Sequence, residues 1–246
     1  MSCSRRRFLT GVSTGAVIMM TGPAYTLSTT VADDGRRLGM LHDETACIGC
    51  TACMDACRET NHVPEGVSRL QIVRKGPIGE FPDARYHFYR HSCQHCDNAP
   101  CVLVCPTGAS HVDLKTGIVD VNADLCVGCQ YCIAACPYRV RFINPQTKVA
   151  DKCDFCRHTN LARGQLPACV QSCPTHALTF GDLDDPKSAI NQKLQQLPTY
   201  RSKAHLGTEP KMYRVPAPGS GEELNIGRDG IPAGFVNGKH NGEIQS

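Results

Sequence analysis

The chain has 246 residues, 41% of them hydrophobic, which suits one large or two small packed domains. Aromatic residues make up only 6% and tryptophan is absent, yet cysteine occurs 17 times, so part of the cohesion must come from disulfides or metal and not from large apolar side chains. A net charge of +3 with no internal block of like charge gives no case for nucleic-acid binding or for a polybasic membrane anchor.

Residues 1–32 differ in character from the remainder of the sequence. Ser4-Arg5-Arg6-Arg7-Phe8-Leu9 sets paired arginines ahead of Gly11 to Met20, a moderately apolar run too short to span a bilayer. The pattern resembles a twin-arginine export signal, which is read by a receptor as an address, and Thr30-Val31-Ala32 offers a small-residue cleavage site. Such a route carries proteins already folded, so the expected location is the periplasm. Cys3 falls inside this segment and leaves sixteen cysteines for the rest of the chain. Beyond Asp33 no stretch approaches the roughly eighteen consecutive apolar residues that a membrane-spanning helix needs.

Cys47, Cys50, Cys53 and Cys57 open the cysteine-rich region with the spacing C-x2-C-x2-C-x3-C. Three thiolates on one tight loop can reach three corners of a cubane 4Fe-4S cluster, while the fourth points away and, in two-cluster ferredoxins, ligates the neighbouring cluster. Gly49, just before the second cysteine, suits a loop where backbone must approach a bulky cofactor. Cys93, Cys96, Cys101 and Cys105 form a second set with one gap widened, and within it Asn98-Ala99-Pro100 reads as the capped start of a short helix. Ala109 to His111 and Ile118 to Val121 are β-favouring runs on either side of the turn Asp113-Leu114-Lys115-Thr116-Gly117. Cys126, Cys129, Cys132 and Cys136 return to the first spacing, again with a glycine, Gly128, before the second cysteine, and Gln130 to Cys136 reads as a short helix. Val140 to Ile143 and Lys148 to Ala150 flank Asn144-Pro145 as another hairpin. Cys153, Cys156, Cys169 and Cys173 complete the frame. After Phe180 the cysteines cease; Asp185-Pro186 opens a helix from Pro186 to about Gln196, and beyond Lys203 a Gly- and Pro-rich tail either wraps over a surface or is partly disordered.

Proline follows the fourth cysteine in three of the four sets, where it discourages continuation of the helix; Arg58 stands there in the first. The run from Cys47 to Cys57 matches that from Cys126 to Cys136, and Cys105-Pro106-Thr107 matches Cys173-Pro174-Thr175, an A-B-A-B repeat. The fold class is therefore α+β with two ferredoxin-like dicluster units, and the repeat alone leaves open whether they are sequential or nested. The domain reading is a signal over 1–32, a four-cluster region over 33–182, and a C-terminal helix and extended tail over 183–246.

Disulfides are the usual use of cysteine in an exported chain, but cysteines three residues apart in repeated groups bridge poorly and frame metal well. Zinc also takes C-x2-C pairs, yet a zinc site does not call for the Cys-Pro ending seen here. C-x-x-C-H, the covalent haem motif, does not occur. No nucleophile and base pair, phosphate loop or dinucleotide fingerprint points to catalysis by this chain. His91, His95 and His111 lie near the cluster motifs, but every quartet is complete without them, so they read as supporting or surface groups. Lys75, Arg85, Arg90, Arg139 and Arg141 read as solvated surface charge.

From His42 to Pro186 the chain resembles the four-cluster ferredoxin subunits of bacterial respiratory oxidoreductases. It is especially similar to the iron–sulfur subunit of the formate-dependent, cytochrome c nitrite reductase pathway. The likeness is carried by the runs Cys47 to Glu59, Gly79-Glu80-Phe81-Pro82-Asp83, and Cys126 to Phe142. The resemblance implies nested pairing: Cys47, Cys50, Cys53 and Cys173 on one cluster; Cys153, Cys156, Cys169 and Cys57 on the next; Cys93, Cys96, Cys101 and Cys136 on a third; Cys126, Cys129, Cys132 and Cys105 on a fourth. Four 4Fe-4S clusters are implied because all sixteen positions are cysteine. It further implies a non-catalytic electron relay in anaerobic respiration, with an integral membrane quinol-oxidising subunit as donor and a multihaem cytochrome c as acceptor. The rival acceptor is a molybdopterin catalytic subunit acting on dimethyl sulfoxide, polysulfide or tetrathionate, which uses the same cysteine frame. A non-redox metal-binding scaffold, holding zinc or lacking inorganic sulfide, is the third reading.

Overall fold

The computed structural model describes residues 35–217 and the backbone of residues 231–232. The expected export signal over 1–32 lies outside the described residues. The first strand, β1 (Leu38–Asp43), is apolar for four residues and buried along all but its last, as befits the interior of a sheet. Helix α1 (Ala52–Thr60) turns Cys53 and Cys57 inward, four residues apart on one face. Arg58, in the place where the other sets carry proline, donates from its guanidinium to the carbonyls of Val63 and Pro64 and so fixes the chain as it leaves the helix. β2 (Leu70–Ile78) and β3 (Arg85–Ser92) form a long antiparallel hairpin with Leu70 opposite Ser92. Its base is buried at Leu70, Arg90 and Ser92, and its tip is exposed at Phe81.

Helix α2 (Pro100–Leu103) begins on Pro100 as expected, but Asn98 does not cap it: the Asn98 amide donates to the carbonyl of Gly207 at 3.1 Å and ties the tail to this loop. β4 (Ser110–Val112) and β5 (Val119–Val121) pair antiparallel around the Asp113 to Gly117 turn. Helix α3 (Tyr131–Ala134) is shorter than the run Gln130 to Cys136, because Gln130 adopts a left-handed conformation, φ 66°, and cannot join it. β6 (Phe142–Ile143) and β7 (Ala150–Asp151) make the second small hairpin. After α4 (Ala168–Gln171) and β8 (Leu178–Asp182), helix α5 (Ala189–Gln196) starts three residues later than Pro186, since Ser188 provides the cap by accepting from the Asn191 amide. β9 (Tyr200–Arg201), β10 (Met212–Val215) and β11 (Ile231–Pro232) complete the order.

The main sheet runs β11-β9-β10-β1-β8. β10 is parallel to β1, with Met40 opposite Met212, and β8 is antiparallel to it, with Met40 opposite Phe180. Of the two fates open to the tail, the part up to Ala217 therefore wraps back and enters the sheet. Because β1 leads into the first cysteine set and β8 follows the fourth, their pairing brings the two ends of the cysteine region side by side. Eight buried cysteines belong to the main apolar core, together with Leu38, Met40, Ile118, Phe155 and Met212.

Candidate metal centres

Each cysteine set begins with C-x-x-C, and in all four the residue before the second cysteine has positive φ: Gly49 at 75°, His95 at 46°, Gly128 at 70° and Phe155 at 56°. Glycine takes this conformation without steric cost, whereas a side chain there is strained. At Gly49 a Cβ would also lie 2.4 Å from the ring of Phe88, so close packing of the hairpin reinforces the choice.

The tight loops bring the sixteen cysteines into four groups. Cys47, Cys50, Cys53 and Cys173 line one cavity, whose remaining wall includes His42, Ile72 and Leu178. Cys93, Cys96, Cys101 and Cys136 line another with Val119, Tyr138 and Arg141. Cys105, Cys126, Cys129 and Cys132 line a third with Val121, Ala150 and again Arg141. The last four, Cys57, Cys153, Cys156 and Cys169, neighbour one another, and the Asn61 side-chain amide lies 3.8 Å from the Sγ of Cys57 and 3.4 Å from that of Cys156. Burial pushes the Cys57 thiol up, and its neighbours Cys153, Cys169 and Cys156 add to the shift.

The groups differ in exposure. Cys57, Cys153, Cys156 and Cys169 are all buried, and so are Cys93, Cys96 and Cys101. Cys129 is exposed, and Cys47, Cys50, Cys105, Cys126 and Cys173 are half-buried. Two groups are thus interior and two reach the surface.

Hydrogen-bond donors reach three of the sulfurs in the groups nearest the surface. The amide of Ser110 donates to the Sγ of Cys105 at 3.3 Å and that of Ala150 to the Sγ of Cys126 at 3.4 Å. Thr107 and Thr175, the threonines of the repeated Cys-Pro-Thr, each set a hydroxyl 3.7 Å from the preceding cysteine sulfur. At Cys105 burial alone would raise the pKa, but the Ser110 amide, the Thr107 hydroxyl and amide and the Ala109 amide outweigh it and lower it. Elsewhere burial dominates: it pushes the Cys53 thiol up to about 11 and the Cys96 and Cys153 thiols up to about 12. Thiols of this kind ionise at neutral pH only when a metal takes the proton's place.

Two cations stand among the groups. Arg90 and Arg141, read from sequence as solvated charge, are buried instead, because β3 and the segment before β6 turn them into the core. Nη1 of Arg90 and both Nε and Nη2 of Arg141 have no hydrogen-bond partner. Orphaned buried donors beside four-cysteine cavities fit an anionic cofactor with one thiolate on each of four irons. Among the described residues no three His, Cys, Asp or Glu side chains converge on the position of a single metal ion, the arrangement that tetrahedral zinc requires. Of the histidines, His91 bonds the Tyr138 carbonyl at 2.8 Å and His111 that of Ala109 at 3.1 Å, whereas His95 is fully buried with neither ring nitrogen paired. His42, Asn61 and Lys211 also stand close to the cysteine groups or the loops that carry them, and since none belongs to a motif, nothing local in the sequence marks them. No helix among the described residues is long and apolar enough to cross a membrane.

A 4Fe-4S dicluster domain matches residues 46–109, and a second matches residues 84–183, which gives four 4Fe-4S clusters. The chain is 68% identical over 217 residues to Protein NrfC of Escherichia coli, an alignment covering 88% of this chain and 96% of that one. It is 56% identical over 183 residues to a polysulfide reductase subunit of Wolinella succinogenes, covering 74% and 95% respectively. It is 54% identical over 177 residues to the thiosulfate reductase electron transfer subunit PhsB of Salmonella typhi, covering 71% and 90%.

Proposed function

Since the chain belongs to the 4Fe-4S dicluster family of ferredoxin-like electron-transfer subunits, we propose that its four cysteine groups hold one cluster each and that it relays electrons between two partner proteins. The ligand sets would be Cys47, Cys50, Cys53 and Cys173; Cys57, Cys153, Cys156 and Cys169; Cys93, Cys96, Cys101 and Cys136; and Cys105, Cys126, Cys129 and Cys132. The observation that carries this reading is the gathering of the cysteines into these four groups, each drawing its members from two different sequence motifs. When bound, such clusters supply one-electron carriers whose potentials are set by charge, hydrogen bonds and exposure.

The protein's own share is to bind, shield and tune. Buried walls surround the two interior groups, and the half-buried Cys50 and the exposed Cys129 give the other two an approach from the surface. The Ser110 amide and the Thr107 hydroxyl at Cys105 favour the ionised sulfur.

The partners follow from the sequence resemblance. The donor is an integral membrane quinol-oxidising subunit and the acceptor a multihaem cytochrome c of formate-dependent nitrite reduction, met in the periplasm after export of the folded chain through the signal at 1–32. The identity to NrfC over most of both chains supports this reading. A second reading, in which the acceptor is a molybdopterin catalytic subunit, draws on the identity to the polysulfide reductase and thiosulfate reductase subunits. Mass spectrometry of proteins that co-purify anaerobically, after gentle solubilisation of membranes from nitrite-grown cells, separates the two. A multihaem cytochrome c with a polytopic quinol-oxidising protein supports the nitrite reading; a molybdopterin subunit replaces it. For the ligand sets, Cys136→Ser should lose or convert one cluster, and an unchanged cluster spectrum would refute the assignment.

A further inference from the structure

Arg90 is 3% exposed and Arg141 is 5% exposed. Nε of Arg90 donates to the Ser92 hydroxyl at 2.9 Å, and its Nη2 reaches the Sγ of Cys153 at 3.6 Å. Its backbone N–H donates to Nδ1 of His42 at 3.3 Å, and His42 lines the cavity of Cys47, Cys50, Cys53 and Cys173. Arg90 therefore stands between the two groups that share the first and fourth motifs. Arg141 lines both remaining cavities, and its Nη1 donates to the Ser110 hydroxyl at 2.7 Å.

Among the described residues neither guanidinium forms an ion pair with a carboxylate. The two buried lysines nearby are different: Lys211 pairs with Asp97, and Lys152 is spent on the carbonyls of Val119 and Cys153. A buried charge without a partner is strongly disfavoured, and each arginine is surrounded by sulfur in place of carboxylate. The Arg90 guanidinium interacts electrostatically with Cys169, Cys153 and Cys57 of one group and with Cys53 of the other. Arg141 interacts in the same way with Cys101 and Cys132, one from each of its cavities.

We propose that each arginine is the shared counter-charge of two neighbouring cluster sites, so that the four carriers are tuned as two pairs: Arg90 sets the sites of Cys47/Cys50/Cys53/Cys173 and Cys57/Cys153/Cys156/Cys169, and Arg141 sets the other two. The sign follows from Coulomb's law. One-electron reduction adds a negative charge without making or breaking a bond, so a fixed cation stabilises the reduced form more than the oxidised form and raises the potential. Two sites held by one cation also move together, which keeps the step between them even.

The inference rests on the ligand sets proposed above, and the test separates the two. In the full chain purified anaerobically, iron and sulfide content and the number of spectroscopic clusters report on the ligand sets. Redox titration followed by electron paramagnetic resonance reports on the arginines. In Arg90→Gln two of the four midpoints should fall, in Arg141→Gln the other two, and in the double variant all four. Unchanged midpoints in a fully loaded variant, a shift of a single cluster, or the same clusters moving in both variants would overturn the proposal. Should a Gln variant fail to assemble, Arg90→Lys and Arg141→Lys decide, because they keep the charge. Four clusters with wild-type midpoints support the counter-charge role; lowered midpoints, or failure of the Lys variants to assemble, overturn it.

Discussion

The imidazole of His95 lies against the ring of Phe155, centroids 3.7 Å apart and planes 24° from parallel. Each occupies the left-handed position before the second cysteine of its motif, the place that Gly49 and Gly128 fill in the other two. Phe155 also meets Phe180 of β8 edge-on at 5.2 Å. A side chain in that conformation costs about 1–2 kcal/mol, and the stack returns about 0.5–1.5 kcal/mol beyond burial. The two rings are not equally useful. Phe155 is an apolar ring in the core, whereas His95 is buried with both nitrogens unpaired and held neutral by burial and by the surrounding charges of Lys152, Lys211, Arg90 and Arg141.

Phe155→Gly should accordingly destabilise the protein by about 2–3 kcal/mol, the usual loss for a large buried ring less the relieved backbone strain. His95→Gly should stay within about 1 kcal/mol of wild type, since it also removes two unsatisfied polar atoms. Thermal unfolding under anaerobic conditions measures both, and equal losses would mean that the two rings carry the same weight in the core.

Lys211 is fully buried on the approach to β10, with its ammonium 2.7 Å from Asp97, which also pairs with Arg37. Burial would raise the Asp97 pKa, but its bonds to Arg37 and Lys211 outweigh that and hold the carboxyl below the usual range. Asp97→Asn takes the carboxylate from the buried ammonium, which keeps its bond to the Gly117 carbonyl, and should cost about 3–5 kcal/mol. Lys211→Met leaves Asp97 with Arg37 and should cost on the order of 1 kcal/mol. If denaturant titrations rank the two variants the other way, the triad is not what joins the tail to the cluster loops.

The cysteines form much of the apolar core of the described residues, and they line three of its cavities. Removal of iron by a chelator with mild oxidant should therefore collapse the fold between Cys47 and Cys173, because metal binding here is folding free energy. Limited proteolysis checks this: the iron-free chain should be cut throughout that region. Protection equal to that of the loaded protein would show a core that stands without metal.

How much of this could be read from the residues depends on the range of the interaction. The cysteine frame, the β4–β5 hairpin and the small β6–β7 hairpin were legible because ligand spacing and turn chemistry act over a few residues. The parallel pairing of Met40 with Met212 was not, since a four-residue strand in a Gly- and Pro-rich tail has no local mark of a partner at the far end of the chain. Arg90 and Arg141 were misread for a related reason. Charge predicts exposure unless its partner is visible, and here the surrounding groups are cysteines from distant motifs. A usable sign was present in the alternation Phe88, Arg90, Ser92, which places the arginine on the same face as the buried serine before Cys93.

Asp120 on β5 gives the chain a calculable response to acid. It is 5% exposed, its Oδ2 accepts from Arg157 and, at 2.8 Å, from His158, and its Oδ1 accepts from the Val121 amide at 2.8 Å. Burial would raise its pKa, but the charge of Lys152, the Val121 amide and His158 together outweigh burial and lower it. The folded-state value thus lies below that of the unfolded chain, about 3.9, so the unfolded chain takes up the proton first as pH falls. The stability contributed by Asp120 is whole above that value and is lost as pH falls through the folded-state pKa. Asp120→Asn should cost on the order of 2 kcal/mol at neutral pH, as for a lost set of charge-assisted hydrogen bonds. The gap between wild type and variant should be constant from about pH 7 to 5 and shrink below about pH 4. Unfolding of the two proteins at matched pH, compared pairwise so that acid loss of iron affects both alike, measures that gap. A gap that stays constant down to about pH 3 would mean that Asp120 acts through its shape and not through its charge.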